Sequence, residues 1–400
     1  MLKFHSLRVA QVQTQAEDAI TLALEVPEEL ASEYRGVAGQ HVVVRMSLDG
    51  EEVRRTYSLV SAPGERLLRI VARVHSEGRL SQYLARHVRP GDRLDVLPPN
   101  GSFTPHSATA GRGTCVAFAA GCGITPVLAI VRSWLEAGRS GRVILFYGNR
   151  GMARAMCLEE LLALKDRYLD RLAIHFVMSR EPQEVEIYNG RLDGEHVREL
   201  AQSFFAPAEV AECFVCGPGD MIDSVSHALR ELGVSSDRIR AEHFTVATVA
   251  SMQTVATVAQ GAAVARPESD AASAGMARAV PLAVHHAAGS GPEKAGASRD
   301  APSAEPGMAE VTVIMDGRRR SFTMPMNGES VLDGAARAGL DLPFSCRAGV
   351  CSTCRTKVVR GEVAMSQNYA LEDWELEQGY VLACQSKVKT PEVELDYDER

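Results

Sequence analysis

Between residues 41 and 99 apolar and polar positions alternate in short runs. HVVVRMSL, RRTYSLV, LLRIVARV and DRLDVLPP are rich in β-branched residues, and DGEE, SAPGE and RPGD turns separate them. This two-residue period predicts antiparallel strands closing into a barrel, interrupted by one helix over 80–88. From about Gly113 the rhythm changes. TCVAFAAG, RVILFYGN, LAIHFVMS and ECFVCGPG are nearly continuous apolar runs, and each precedes a helical stretch: from Thr125, then around 158–168, 195–205 and 221–232. RIRAEHF closes the series. Strands alternating with helices predict a parallel sheet with right-handed crossovers. After Glu310, VTVIMDG and RSFTM read as a hairpin and SVLDGAARAGL as a helix capped at Ser330, giving a compact α+β piece.

Between Phe244 and Phe322 there is no aromatic residue, and Ala, Ser, Gly, Thr and Pro crowd the stretch. Such a segment buries too little apolar surface to offset chain entropy, so 246–309 is expected to be a disordered linker. At about 5–6 Å times the square root of its length it would reach roughly 45 Å. The expected units are therefore 1–110 (barrel), 111–245 (α/β), the linker 246–309, and 310–400 (α+β).

Composition narrows the function classes. With 46% apolar and 24% charged residues and a net charge of −8, the chain lacks the basic footprint of a nucleic-acid binder. The longest apolar stretch, CVAFAAGCGITPVLAIVRSW, is broken by glycines and a proline, so no membrane span is expected. The N-terminal MLKFHSLRVAQVQ has no apolar signal core. Nine cysteines, an odd number unevenly placed, suit metal or redox use in a reducing compartment and a cytoplasmic location.

The cysteines converge in LPFSCRAGVCSTC, where Cys346, Cys351 and Cys354 stand at x4 and x2 spacings, with Cys384 thirty positions on. This is the plant-type [2Fe–2S] spacing, whereas structural zinc ligands usually come as CxxC pairs. Ser345, Ala348, Gly349, Ser352 and Thr353 are small enough to let backbone amides turn towards the sulfurs. The segment resembles plant-type ferredoxins over its full length, which implies a β-grasp fold.

A cluster accepts single electrons and a nicotinamide delivers a hydride, so a flavin is needed between them. RRTYSL supplies a candidate site. Arg55, Thr56, Tyr57 and Ser58 match the RxYS motif of the ferredoxin–NADP⁺ reductase superfamily; taken alone, the motif also reads as a cross-strand aromatic beside a surface arginine. RVHSEGRLSQYL resembles the same superfamily's pyrophosphate segment, and PPNGSF, with Gly101 and Phe103, its end-of-barrel signature. The resemblance implies FAD. Arg55 would meet its phosphate, Tyr57 would pack on the isoalloxazine, and Ser58 would approach N5. Val74, Gly78, Arg79, Leu80 and Ser81 would surround the pyrophosphate at a helix start.

AAGCGITP is not the GxGxxG fingerprint. It resembles the superfamily's GxGxxP loop, with Gly121, Gly123 and Pro126, and Thr125 would contact phosphate. Cys216, Gly217 and Pro218 of CGPGDM resemble the segment facing the nicotinamide. Glu242 and Phe244 resemble the Glu-x-aromatic ending, in which the acid assists catalysis beside Cys216, Tyr57 and Ser58. Arg150, Ser179 and Arg180 follow the second and third strands of the expected parallel sheet, where arginines suit a 2′-phosphate; this favours NADPH, with NADH possible, although both arginines also read as surface residues.

The order of barrel, nucleotide unit and C-terminal ferredoxin resembles that of NAD(P)H-dependent oxygenase reductases. ERLLRIVARVHSEGRLSQYL, FYGNR, LKDRYLDRL, YNGRLDGEHV and CGPGDMIDSV together resemble the reductase subunits of phenylacetyl-CoA epoxidases. The implied partner is an oxygenase, a di-iron multisubunit complex. Service to a steroid or aromatic-ring hydroxylase is the alternative, and a non-catalytic carrier or assembly partner is a further one.

Overall fold

The computed structural model describes residues 3–61, 65–106, 110–138, 140–244 and 307–399. The expected linker lies outside them as far as residue 306.

The first unit holds β1 (His5–Ala16), β2 (Ala19–Glu25), β3 (His41–Leu48), β4 (Glu51–Ser58), β5 (Leu67–Arg73), α1 (Arg79–His87) and β6 (Arg93–Val96). The strands pair antiparallel in the order β4-β3-β6-β1-β2-β5, and a bridge from Leu59 to Ile70 joins the two outer strands into a barrel. Alternation explains its core. Val42 and Val44, Leu22 and Leu24, and Leu7 and Val9 project inwards, and α1 adds Leu80 and Leu84 to the same cluster. Each such side chain contributes roughly 1.5–3 kcal/mol by leaving water.

The second unit runs β7 (Thr114–Ala120), α2 (Ile124–Ala137), β8 (Arg142–Asn149), α3 (Leu158–Arg167), β9 (Leu172–Met178), α4 (Gly194–Phe204), β10 (Val210–Gly217), α5 (Gly219–Glu231) and β11 (Ile239–His243). Its sheet is wholly parallel, in the order β11-β10-β7-β8-β9. Both faces are covered, which is why its strands read as unbroken apolar runs. Cys115, Ala117 and Ala119 of β7 face α2 and α3, while Val116 and Phe118 face α4 and α5. The barrel joins this unit through Phe103, whose ring meets Phe214 edge-on at 5.5 Å. Ion pairs from Glu160 of α3 to Arg69 of the barrel and Arg132 of α2 flank that contact.

The third unit holds β12 (Met308–Met315), β13 (Arg318–Pro325), α6 (Val331–Arg337), β14 (Arg355–Arg360), β15 (Val363–Met365), α7 (Asp373–Glu377), β16 (Tyr380–Leu382), β17 (Ser386–Val388) and β18 (Glu392–Asp396). A five-stranded sheet, ordered β13-β12-β18-β14-β16, packs on α6, whose first turn is capped by the Ser330 hydroxyl accepting from Asp333 N. β12 begins before the expected linker boundary at 309, because Ala309 is fully buried and pairs with Met324.

Candidate active site

Strand β4 ends at Ser58, whose cross-strand neighbour is His41 on β3. His41 is 2% exposed, and its Nδ1 lies 3.6 Å from Oε1 of Glu242, which β11 brings in from the nucleotide unit. Both ring nitrogens of His41, Ser58 Oγ and Glu242 Oε2 are buried without a hydrogen-bond partner among the described residues. Buried polar atoms are rarely left unpaired, so four orphans around one point mark a place shaped for a polar ligand. A cleft of about 650 Å³ reaches this point, lined by His41, Gly101, Glu242, Val350, Ser352 and Tyr369.

Tyr57 packs its ring against the barrel core, and burial pushes its phenol up. Arg55 is exposed beside it, donating to Arg54 O at 2.8 Å. At the start of α1, Ser81 donates back to Gly78 O, Val74 N donates to Asp18 O and Leu80 is core. Arg79 turns to the β3–β4 turn, donating to Glu51 and Leu48 O.

In the second unit, the loop before α2 touches the end of β10 backbone to backbone. A Cβ on Gly123 would lie 2.1 Å from Cys216 O, so only glycine fits. Gly121 takes φ +54°, and a Cβ there would meet nothing within 4 Å, leaving that side of the loop open. Thr125 is 2% exposed and its hydroxyl donates to Cys122 O at 2.9 Å. Cys216 is fully buried, and burial pushes its thiol well above the ordinary value. Arg150 and Arg180 lie together at the carboxyl ends of β8 and β9, where Arg180 N donates to Arg150 O and Ser179 N to Asn149 O. Phe244 packs against the core cluster shared by barrel and nucleotide unit.

The third unit gathers Cys346, Cys351, Cys354 and Cys384. Cys351, Cys354 and Cys384 are buried and Cys346 is partly exposed. Among the described residues no His, Cys, Asp or Glu group closes around a single ion. An x4 and an x2 spacing with a distant fourth cysteine fit the plant-type [2Fe–2S] set rather than the CxxC pairs of structural zinc. The backbone wraps the site in left-handed conformation at Arg347, Gly349 and Ser352. Ala348 N donates to Cys346 Sγ at 3.3 Å and Cys346 N to Cys351 Sγ at 3.5 Å. The Cys351 thiol, helped by loop amides, holds the Cys346 thiol below its ordinary value, at about 6; Cys354 likewise holds Cys384 below its ordinary value.

Sequence reasoning missed His41. A single histidine on a strand has no spacing signal; only its register opposite Ser58 marks it.

A barrel with a buried polar junction, a glycine-lined helix start and a four-cysteine loop site define an NAD(P)H-dependent iron–sulfur flavoprotein oxidoreductase. Comparison with known proteins agrees. Residues 6–104 match an oxidoreductase FAD-binding domain, 118–227 an oxidoreductase NAD-binding domain and 313–389 a 2Fe-2S iron-sulfur cluster binding domain. The chain is 35% identical over 400 residues to a subunit of the 1,2-phenylacetyl-CoA epoxidase of Escherichia coli, covering 100% of this chain and 99% of that one. It is 32% identical to the ferredoxin reductase component of 3-ketosteroid-9-alpha-monooxygenase from Mycolicibacterium smegmatis, covering 98% and 97%. In fold it resembles phthalate dioxygenase reductase, with a TM-score of 0.53 at 22% identity over 98% of both chains. The chain thus belongs to the ferredoxin–NADP⁺ reductase superfamily, among the oxygenase reductase components with a C-terminal [2Fe–2S] domain. Its cofactors are FAD, a nicotinamide nucleotide and a [2Fe–2S] cluster.

Proposed function

We propose that this chain is the reductase subunit of a phenylacetyl-CoA epoxidase, a multisubunit di-iron oxygenase of phenylacetate breakdown. The observation that carries the reading is 35% identity along the whole chain to an epoxidase subunit, against 32% and 29% for two ketosteroid monooxygenase reductases. Nine free cysteines suit work in the reducing cytoplasm.

Bound FAD supplies the conversion of a hydride into single electrons, and a bound cluster accepts them one at a time. This chain's residues do the rest. Arg55 neutralises flavin phosphate, and the Tyr57 ring sets the face on which the flavin lies. The start of α1, with Gly78, Ser81 and the backbone of Val74 and Leu80, receives the pyrophosphate. Ser58 Oγ, the His41 imidazole and the Glu242 carboxylate hold a proton at the buried junction and hand it towards solvent. The amides after Gly121 bind nucleotide phosphates, while Gly123 against Cys216, with Gly217 and Pro218, sets the depth of the nicotinamide. Cys216 acts there as a neutral wall. Arg150 and Arg180 grip a 2′-phosphate, making NADPH the preferred donor. Cys346, Cys351, Cys354 and Cys384 hold the irons.

The test is reconstitution with separate oxygenases under NADPH. Formation of epoxide from phenylacetyl-CoA with the epoxidase complex is expected. Turnover with a steroid hydroxylase and none with the epoxidase would overturn the assignment.

A further inference from the structure

Strand β4 holds different things on its two faces. Arg55 and Tyr57 point one way, and Arg54 and Thr56 the other. Arg54 is a buried arginine, its side chain 4% exposed. It donates to Asp341 at 3.1 Å and to Glu52 at 2.7 Å. Its guanidinium stacks over Phe344 at 4.0 Å and faces Phe4 at 5.1 Å. The hydroxyls of Thr56 and Ser345 lie 2.7 Å apart. Asp341, Phe344 and Ser345 all belong to the segment leading into Cys346. On the other side of the cleft, Arg240 pairs with Glu372 and the ring of His243 meets Tyr369 at 4.9 Å. Ser102 adds a bond to Ala370 O at 3.3 Å.

We propose that Arg54 and Thr56 form a docking site for this chain's own [2Fe–2S] domain, seating Cys346 against strand β4 on the face that also carries Ser58. The proposal rests on the reading that β4 holds the flavin. Arg54 and Thr56 are positioning residues for flavin-to-cluster transfer. One electron passes per step, and no bond between the domains is made or broken. A cationic side chain buried at a domain contact is costly unless paired, and Asp341 shares that pairing with Glu52 of the barrel. Asp341 itself is 70% exposed, so the pair adds little binding energy and the contact can reopen.

The test uses the full holoprotein with three readouts: NADPH-driven ferricyanide reduction, stopped-flow cluster reduction, and small-angle scattering. Asp341→Lys, at an exposed position, should leave ferricyanide reduction unchanged, slow cluster reduction at least about tenfold and enlarge the particle. Thr56→Val should slow cluster reduction by a smaller factor. The charge swap Arg54→Glu with Asp341→Arg should recover most of the rate lost in Arg54→Glu alone. Unchanged cluster reduction and scattering in both Asp341→Lys and Thr56→Val overturns the dock. Loss of ferricyanide reduction with release of flavin in Asp341→Lys would show that Asp341 supports the flavin site itself, and overturns the dock.

Discussion

Replacing Gly123 by alanine tests the closest backbone approach in the nucleotide site. The added Cβ would stand 2.1 Å from Cys216 O and 2.5 Å from Cys216 C. Ordinary carbon–oxygen contacts lie at about 3.3–3.6 Å, so the loop and the end of β10 must separate by roughly 1 Å. No rotamer relieves the clash, since both of these atoms are backbone. Overpacking of this kind costs about 1–3 kcal/mol, or roughly 2–12 °C of melting temperature at this domain size. A displacement of about 1 Å between reacting groups costs on the order of 100-fold in rate. Anaerobic stopped-flow should therefore show flavin reduction by NADPH slowed about 100-fold, with flavin content and cluster spectrum unchanged. Gly121→Ala separates strain from contact: its φ of +54° carries a penalty of about 1–2 kcal/mol, but its Cβ would meet nothing. Flavin reduction at the wild-type rate in Gly123→Ala, with unaltered melting, would refute the proposed nicotinamide depth gauge.

Cys384→Ser should abolish the visible and EPR signatures of the cluster while FAD stays bound and ferricyanide is still reduced; a full-strength cluster signal would remove Cys384 from the ligand set. Arg150→Ala or Arg180→Ala deletes a charge-assisted contact of about 1.5–3 kcal/mol, raising the KM for NADPH at least about tenfold and leaving that for NADH nearly unmoved. Equal effects on both nucleotides would end the argument for NADPH. Burial raises the thiols of Cys115, Cys122, Cys213 and Cys216, and raises Cys157 to about 12, so little thiolate exists at mildly alkaline pH. Iodoacetamide should leave the fully buried Cys115, Cys157, Cys213 and Cys216 unlabelled in the native protein by mass spectrometry, and rapid labelling of Cys216 would contradict its burial.

Local patterns carried most of the fold. The β-branched alternation before Pro99 and the apolar runs from Thr114 onwards differ because the barrel exposes one face of each strand and the parallel sheet exposes neither. The cysteine spacing is legible for a related reason: Cys346, Cys351 and Cys354, three of the four proposed ligands, lie on one loop, whose geometry is local. What stayed hidden depends on contacts between distant segments. Arg54 and Asp341 are 287 positions apart, and nothing near either residue announces the other. His41 gains its meaning only from register, opposite Ser58 and beside Glu242. Thr125 and Arg79 look like ligand contacts in sequence because their motifs place them at helix starts. In the structure the Thr125 hydroxyl bonds Cys122 O and Arg79 reaches the β3–β4 turn, contacts that no sequence pattern marks.

Electrons are held to enter at the flavin and to leave through the cluster of the same chain. Rapid mixing of the purified holoprotein with NADPH in the absence of oxygen, followed by flavin absorbance and freeze-quenched EPR, tests this directly. The flavin band should bleach first and the reduced-cluster signal should rise afterwards, in the absence of any oxygenase. A cluster that stays oxidised after the flavin is reduced, or that fills before it, would contradict that order of transfer.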